Sequence, residues 1–142
     1  MNNGQLEVSL NLINQKVQFT CVSETNPDRP LTLDYLPPLG DGQGYRGLEL
    51  LLMSFAGCVS TAVVGLLRKI GKDISGYTMK VIGTKNDQPL FLKKISFEIT
   101  VKSSDITDED MEKVLSYTGK ISPVWLALNK DVEVVPQYKI VS

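Results

Sequence analysis

"LELLLMSFAGC", Leu48–Cys58, is an apolar run with one carboxylate near its start and a thiol at its end. Apolar and small residues continue to Leu67, and Arg68, Lys69 and Gly71 close the run. That pattern predicts a helix from Leu48 to about Ile70. The cations sit near the negative end of the helix dipole, and glycine supplies the stop. The helix is apolar nearly all round, so it is expected to be buried at the centre of the fold. Its length would also span a bilayer. Glu49 inside the run and amphipathic strands on both sides argue instead for a helix in water, with no membrane partner. Its small residues recur at helical spacing: Ser54, Cys58 and Ala62, then Gly57, Thr61 and Gly65. Such a stripe lets another helix or a second subunit approach closely.

The residues just before the run, "GQGYRG" at Gly42–Gly47, fit the G-x-G-x-x-G pattern of a dinucleotide-binding turn. That turn requires a strand ending at the first glycine and an acidic residue about twenty positions on. Here Pro37, Pro38 and Gly40 intervene, and position 62 is Ala in mid-helix. The GK[ST] ending of a phosphate-binding loop is missing too. The stretch reads as a flexible entry loop in which glycine supplies positive φ.

The flanking sequence alternates with period two. Leu6, Val8, Leu10 and Leu12 form one such run, and Val17, Phe19 and Cys21 a second, with a turn at Asn14-Gln15 between them. "NPDRP", Asn26–Pro30, has the composition of a turn before a third strand through Leu31, Leu33 and Tyr35. After the helix, Tyr77–Thr84 reads as a strand, "NDQP" at Asn86–Pro89 as a turn, and Ile95–Val101 as the clearest strand of all. Thr107 is a predicted N-cap followed by three acidic residues. Met111, Val114, Leu115 and Thr118 line the inner face of that helix, and Gly119 is its predicted stop. Ser122-Pro123 opens a short third helix with serine as N-cap, and Val132–Val141 is a last strand. The order βββ-α-ββ-αα-β, with antiparallel strands and segregated helices, is α+β. The 142 residues show no repeat or linker and are expected to form a single domain, 1–142.

Composition removes many chemistries. Net charge is −1 with no basic cluster, so no nucleic-acid partner is expected. There is no histidine, which excludes Ser-His-Asp and Cys-His catalysis and imidazole zinc sites. No metal or other cofactor is expected. Two cysteines and no export signal fit a reducing cytoplasm. Catalysis must then come from cysteine, carboxylates, cations, hydroxyls or backbone groups. Cys58 lies in mid-helix, away from the dipole's positive end, where a free cysteine can be a small hydrophobe or a nucleophile. Glu49 is a favourable charge for a helix start. Nine residues apart at about 100° and about 1.5 Å each, the two fall on opposite faces of one straight helix, roughly 13 Å apart along the axis. A shared site needs a bridging cation or a contribution from a second chain.

"LELLLMSFAGC" closely resembles the reactive-cysteine helix of the OsmC/Ohr family, the osmotically inducible and organic hydroperoxide resistance proteins. "ISPVWLALNKDVEV", Ile121–Val134, is similar to the family's second signature, which normally reads Cys-Pro-Val. The likeness covers about the whole chain. It implies an intertwined homodimer with a thiol site at the subunit interface, acting on organic hydroperoxides. In that cycle one cysteine is oxidised to a sulfenic acid. A second resolves it as a disulfide, and a dithiol reductant such as dihydrolipoamide reopens the bridge. By this resemblance Cys58 is the first cysteine, and Glu49 orients an activating arginine. Ser122 occupies the second-cysteine position, where a hydroxyl cannot form a disulfide. The candidate activating cations are Lys16, near the first turn, and Arg46, near Glu49, and each also reads as a solvated surface charge. Cys21 alternates with Val17 and Phe19 and reads as a core residue. One expectation is a peroxidase with a single competent cysteine, served by an external thiol reductant. The alternatives are a dimer that binds an apolar small molecule or senses redox state, and a dimer with a structural role alone.

Overall fold

The computed structural model describes residues 4–142. Two compact units divide the chain, Met1–Leu50 and Leu51–Ser142. The element order is β1 (Val8–Leu12), β2 (Phe19–Ser23), β3 (Asn26–Leu33), α1 (Gly47–Lys69), β4 (Gly76–Asp87), β5 (Leu90–Lys102), α2 (Asp108–Ile121), α3 (Pro123–Ala127) and β6 (Glu133–Val141). This is the predicted βββ-α-ββ-αα-β order.

In the first unit, β1, β2 and β3 form an antiparallel sheet in that order. The Asn14 side chain makes the first turn, accepting from the backbone N–H of Lys16 and Gln18 at 2.9 and 3.0 Å. The second turn falls at Glu24-Thr25 and not at "NPDRP", which belongs to β3. Its prolines are tolerated because β3 is an edge strand whose register breaks there. Between the pairs Cys21↔Leu31 and Ser23↔Asn26, four residues of β3 lie opposite Val22 alone.

The loop from Asp34 to Tyr45 is tightly built and not a loose entry segment. Asp34 is buried, and its carboxylate accepts from the backbone N–H of Tyr35 at 2.8 Å and of Asp41 and Gln43 at 3.1 Å. Tyr45 N–H donates to Thr32 O, and Asp34 N–H to Tyr45 O. The glycine spacing follows from this packing. Gly42 has φ +67, and a Cβ on Gly44 would collide with the Thr32 carbonyl. Burial pushes the Asp34 carboxyl up. The N–H groups of Gln43, Asp41 and Tyr35, aided by the Lys16 ammonium, outweigh this and hold it below its ordinary 3.8.

In the second unit, β4, β5 and β6 form a sheet in that order. β4 and β5 are a long antiparallel hairpin that turns at Gln88-Pro89. β6 runs parallel to β5, with Ile95↔Val134 through Lys102↔Val141 in register. The expectation of antiparallel strands throughout therefore fails at this pair. A parallel neighbour needs a crossover, and α2 with α3 supplies it. Ile95, Phe97, Ile99 and Val101 of β5 pack with Phe55, Val59, Val63 and Leu67 of α1 and Met111, Val114 and Leu115 of α2.

α1 stops at a Schellman turn, as its glycine predicts: Gly71 N–H donates to Arg68 O and Lys72 N–H to Leu67 O, each at 3.0 Å. Its burial differs from expectation. One face is buried, and Ser54, Gly57, Thr61 and Gly65 lie on an exposed one. By length and a mean hydropathy of 2.2 it could cross a membrane. α2 starts at the predicted cap. Asp110 N–H donates to Thr107 Oγ1, and Thr107 N–H to Asp110 Oδ2. It runs past Gly119 to Ile121. Proline is what ends it, because the residue before Pro123 is driven out of helical ψ.

Candidate functional site

Cys58 lies on α1, one turn after the buried Phe55. Ser122 is the extended residue between α2 and α3, with φ −67° and ψ 115°. Its backbone is fixed from both sides: its N–H donates to Thr118 O at 2.8 Å, and its C=O accepts from Leu126 N at 2.9 Å. The Ser122 side chain is fully buried, and its hydroxyl donates to Cys58 Sγ at 3.2 Å. Two positions 64 residues apart in sequence, which the family resemblance pairs as first and second cysteine, are thus hydrogen-bonded. Ser122 does sit at the N-cap of α3, but its side chain makes no capping bond.

Aromatic packing sets this juxtaposition. Trp125, one turn after Ser122, meets Phe55, one turn before Cys58, with ring centroids 5.6 Å apart. Phe97 of β5 closes the triangle at 5.8 Å from Phe55 and 6.0 Å from Trp125. Tilted and edge-on pairs of this kind contribute about 0.5–1.5 kcal/mol each beyond their buried area. The sequence reading did not select Phe55 or Trp125. The signal available was the chain's single Trp inside the stretch that also holds Ser122.

Glu49 is the third residue of α1, and its Oε1 accepts from Arg46 N–H at 2.9 Å and Arg46 Nε–H at 3.1 Å. The first of these bonds is half of a capping box, so Glu49 has the helix-start role expected of its charge. The Arg46 backbone N–H, then its guanidinium, outweigh the effect of burial and hold the Glu49 carboxyl below its ordinary value. Of the two proposed cations, Arg46 is the one that Glu49 holds. Lys16 is paired with Asp41, Nζ to Oδ1 at 2.6 Å. Cys21 is half-buried on β2 opposite Leu10 and Leu31 and lies outside the main core cluster, unlike its core reading. Both cysteines are free thiols.

A family model described as OsmC-like protein matches residues 40–136, well over half of the chain. The chain belongs to the OsmC-like family. Solved structures agree at the level of fold. An OsmC-like protein from Mycoplasma pneumoniae superposes with a TM-score of 0.81 at 17% identity, covering 99% of this chain and 100% of that one. An organic hydroperoxide resistance protein OsmC from Legionella pneumophila gives 0.68 at 11%, covering 100% of both. The organic hydroperoxide resistance protein OhrB of Bacillus subtilis gives 0.62 at 15%, covering 95% and 98%. No curated protein matches in sequence. Within the OsmC-like fold, this chain pairs its α1 cysteine with a serine.

Proposed function

We propose that this OsmC-like protein is a thiol-dependent organic hydroperoxide reductase with one working cysteine, Cys58, acting as a homodimer in a reducing cytoplasm. The observation that carries the reading is the Cys58–Ser122 pair, a half-buried thiol held by a buried hydroxyl 3.2 Å away. Family membership and the fold shared with organic hydroperoxide resistance proteins supply the substrate class. In the first step the sulfur attacks one peroxide oxygen. An S–O bond forms, the O–O bond breaks, and the leaving alkoxide takes a proton to become an alcohol. Cys58 is oxidised by two electrons to a sulfenic acid. An external thiol then displaces water from that sulfur to give a mixed disulfide. A second thiol releases the Cys58 thiol and carries away a disulfide. Arg46 is the cation held by Glu49, as the family resemblance expects of an activating cation.

Two exposed features support the dimer. Alternate residues of β1 are apolar yet open to solvent, with Val8 63%, Leu10 50% and Leu12 57% exposed. The small-residue stripe of α1 is open as well. Light scattering at micromolar concentration should return twice the 15.7 kDa chain mass, and a monomer would refute this part. The activity is tested by cumene hydroperoxide consumption with a monothiol or dihydrolipoamide as reductant, comparing wild type with Cys58→Ser. Turnover lost in the variant is the expected result. Equal slow consumption by both would leave a non-catalytic dimer, binding an apolar molecule or sensing redox state, as the better account.

A further inference from the structure

We infer that Ser122 is a positioning residue for Cys58, and that its hydroxyl leaves the oxidised sulfur to an entering thiol. The inference rests on the peroxidase reading above and concerns the same site. A serine at a helix N-cap normally accepts a hydrogen bond from an N–H of the first turn. Ser122 occupies that position without making the bond. Its hydroxyl is fully buried and donates instead to Cys58 Sγ. Its backbone is pinned at both the N–H and the C=O, and Trp125 packs on Phe55 one turn away. The hydroxyl is therefore held in place, and it favours the Cys58 rotamer that brings sulfur to it. A hydrogen bond to sulfur strengthens as the sulfur gains charge, so the same contact supports the attacking form.

The second consequence is chemical. Once Cys58 is a sulfenic acid, the side chain hydrogen-bonded to its sulfur is a hydroxyl, which cannot expel water to make a disulfide. The S–S bond must come from an entering thiol: its sulfur bonds to Cys58 Sγ, the S–O bond breaks, and water leaves. A second thiol, on the same or another reductant molecule, then attacks the mixed disulfide. Position 122 thereby decides between resolution by an external thiol and an internal two-sulfur cycle.

The test follows Cys58 by peptide-resolved mass spectrometry in the full chain, which separates it from Cys21. Wild type, Ser122→Ala, Ser122→Thr and Ser122→Cys are each treated with iodoacetamide and, separately, with cumene hydroperoxide. Ser122→Ala should alkylate and oxidise at Cys58 about tenfold more slowly, the scale of one hydrogen bond to a charged group. Ser122→Thr, which keeps the hydroxyl, should recover most of both rates. Ser122→Cys should form an internal disulfide with Cys58, so that peroxide leaves a disulfide in the chain before any reductant is added. Wild-type rates in Ser122→Ala would overturn the positioning role, as would Ser122→Thr behaving like Ser122→Ala. A Ser122→Cys variant that oxidises without forming the disulfide would overturn the role given to position 122. Wild-type Cys58 that takes up no oxygen from peroxide would remove the peroxidase reading, while the alkylation series still decides the positioning.

Discussion

Gly119 offers a test in which the sequence reading and the structure predict opposite signs. A stop glycine sits in the left-handed region, where alanine costs roughly 1–2 kcal/mol. Gly119 is not such a residue. The glycines with positive φ are Gly4, Gly42 and Gly71 among the described residues, and α2 continues through Gly119 to Ile121. A Cβ added at Gly119 would lie 3.4 Å from Trp125 Cζ2 and 3.5 Å from Cη2, ordinary contact with the indole face. Gly119→Ala should therefore gain the helix-interior difference of about 1 kcal/mol, with little steric loss. For a chain of this size that raises Tm by about 2–4 °C. Gly71→Ala is the matched control. Its φ of +83 in the Schellman turn makes alanine strained even though nothing lies within 4 Å of the added carbon. It should lower Tm by a similar amount or more. Thermal unfolding followed by circular dichroism, at one protein concentration because the chain is proposed to dimerise, reads both shifts. A lower Tm for Gly119→Ala would refute the argument that proline, and not glycine, ends α2.

Other perturbations reach different parts of the molecule. Trp125→Ala removes two ring contacts, and because the indole is only partly buried the low end of the large-to-small range applies, about 3 kcal/mol or roughly 10 °C in Tm. A fall of less than about 3 °C would mean that the aromatic triangle does not hold α3 in place. Asp34 has a folded-state carboxyl below its ordinary 3.8, so its contribution is present above that pH and is lost as pH falls through the lower folded value. Asp34→Asn should lie below wild type in Tm near neutral pH, and the gap should close as the buffer is taken below about pH 4. A gap independent of pH would refute the carboxylate's role in organising the loop.

Much of the architecture was legible because its signals are local. The period-two runs, the Thr107 cap and the Gly71 stop each depend on a few neighbouring residues, and each appears where it was read. Two of the misreadings share one cause, long-range pairing that overrides a local preference, and the third is a nearby proline overriding a glycine. "NPDRP" has turn chemistry, but the chain had already turned at Glu24-Thr25, and an edge strand with broken register accommodates prolines. Gly119 has stop chemistry, but its φ is not positive and the helix continues past it to Ile121. The parallel pairing of β6 was illegible because it too is a long-range pairing. Strand direction depends on the crossover through α2 and α3, not on alternation within the strand.

The site shows where local reading ends. Cys58 and Ser122 could each be selected by resemblance to a signature, yet the relation between them is tertiary. The 3.2 Å contact exists because Pro123 ends α2 at Ile121 and places Ser122 in extended backbone, and because Trp125 then packs on Phe55. Read alone, Ser122 was adequately explained as an N-cap. The structure removes that explanation, since the position is a cap and the hydroxyl is not used as one. A buried polar group turned away from its usual local partner has to be satisfied elsewhere. Here the partner is the one sulfur to which the family resemblance assigns chemistry. The departure from the two-cysteine pattern at position 122 is therefore a substituted contact and not a vacancy: a hydroxyl bonded to the thiol where the family signature normally carries a cysteine.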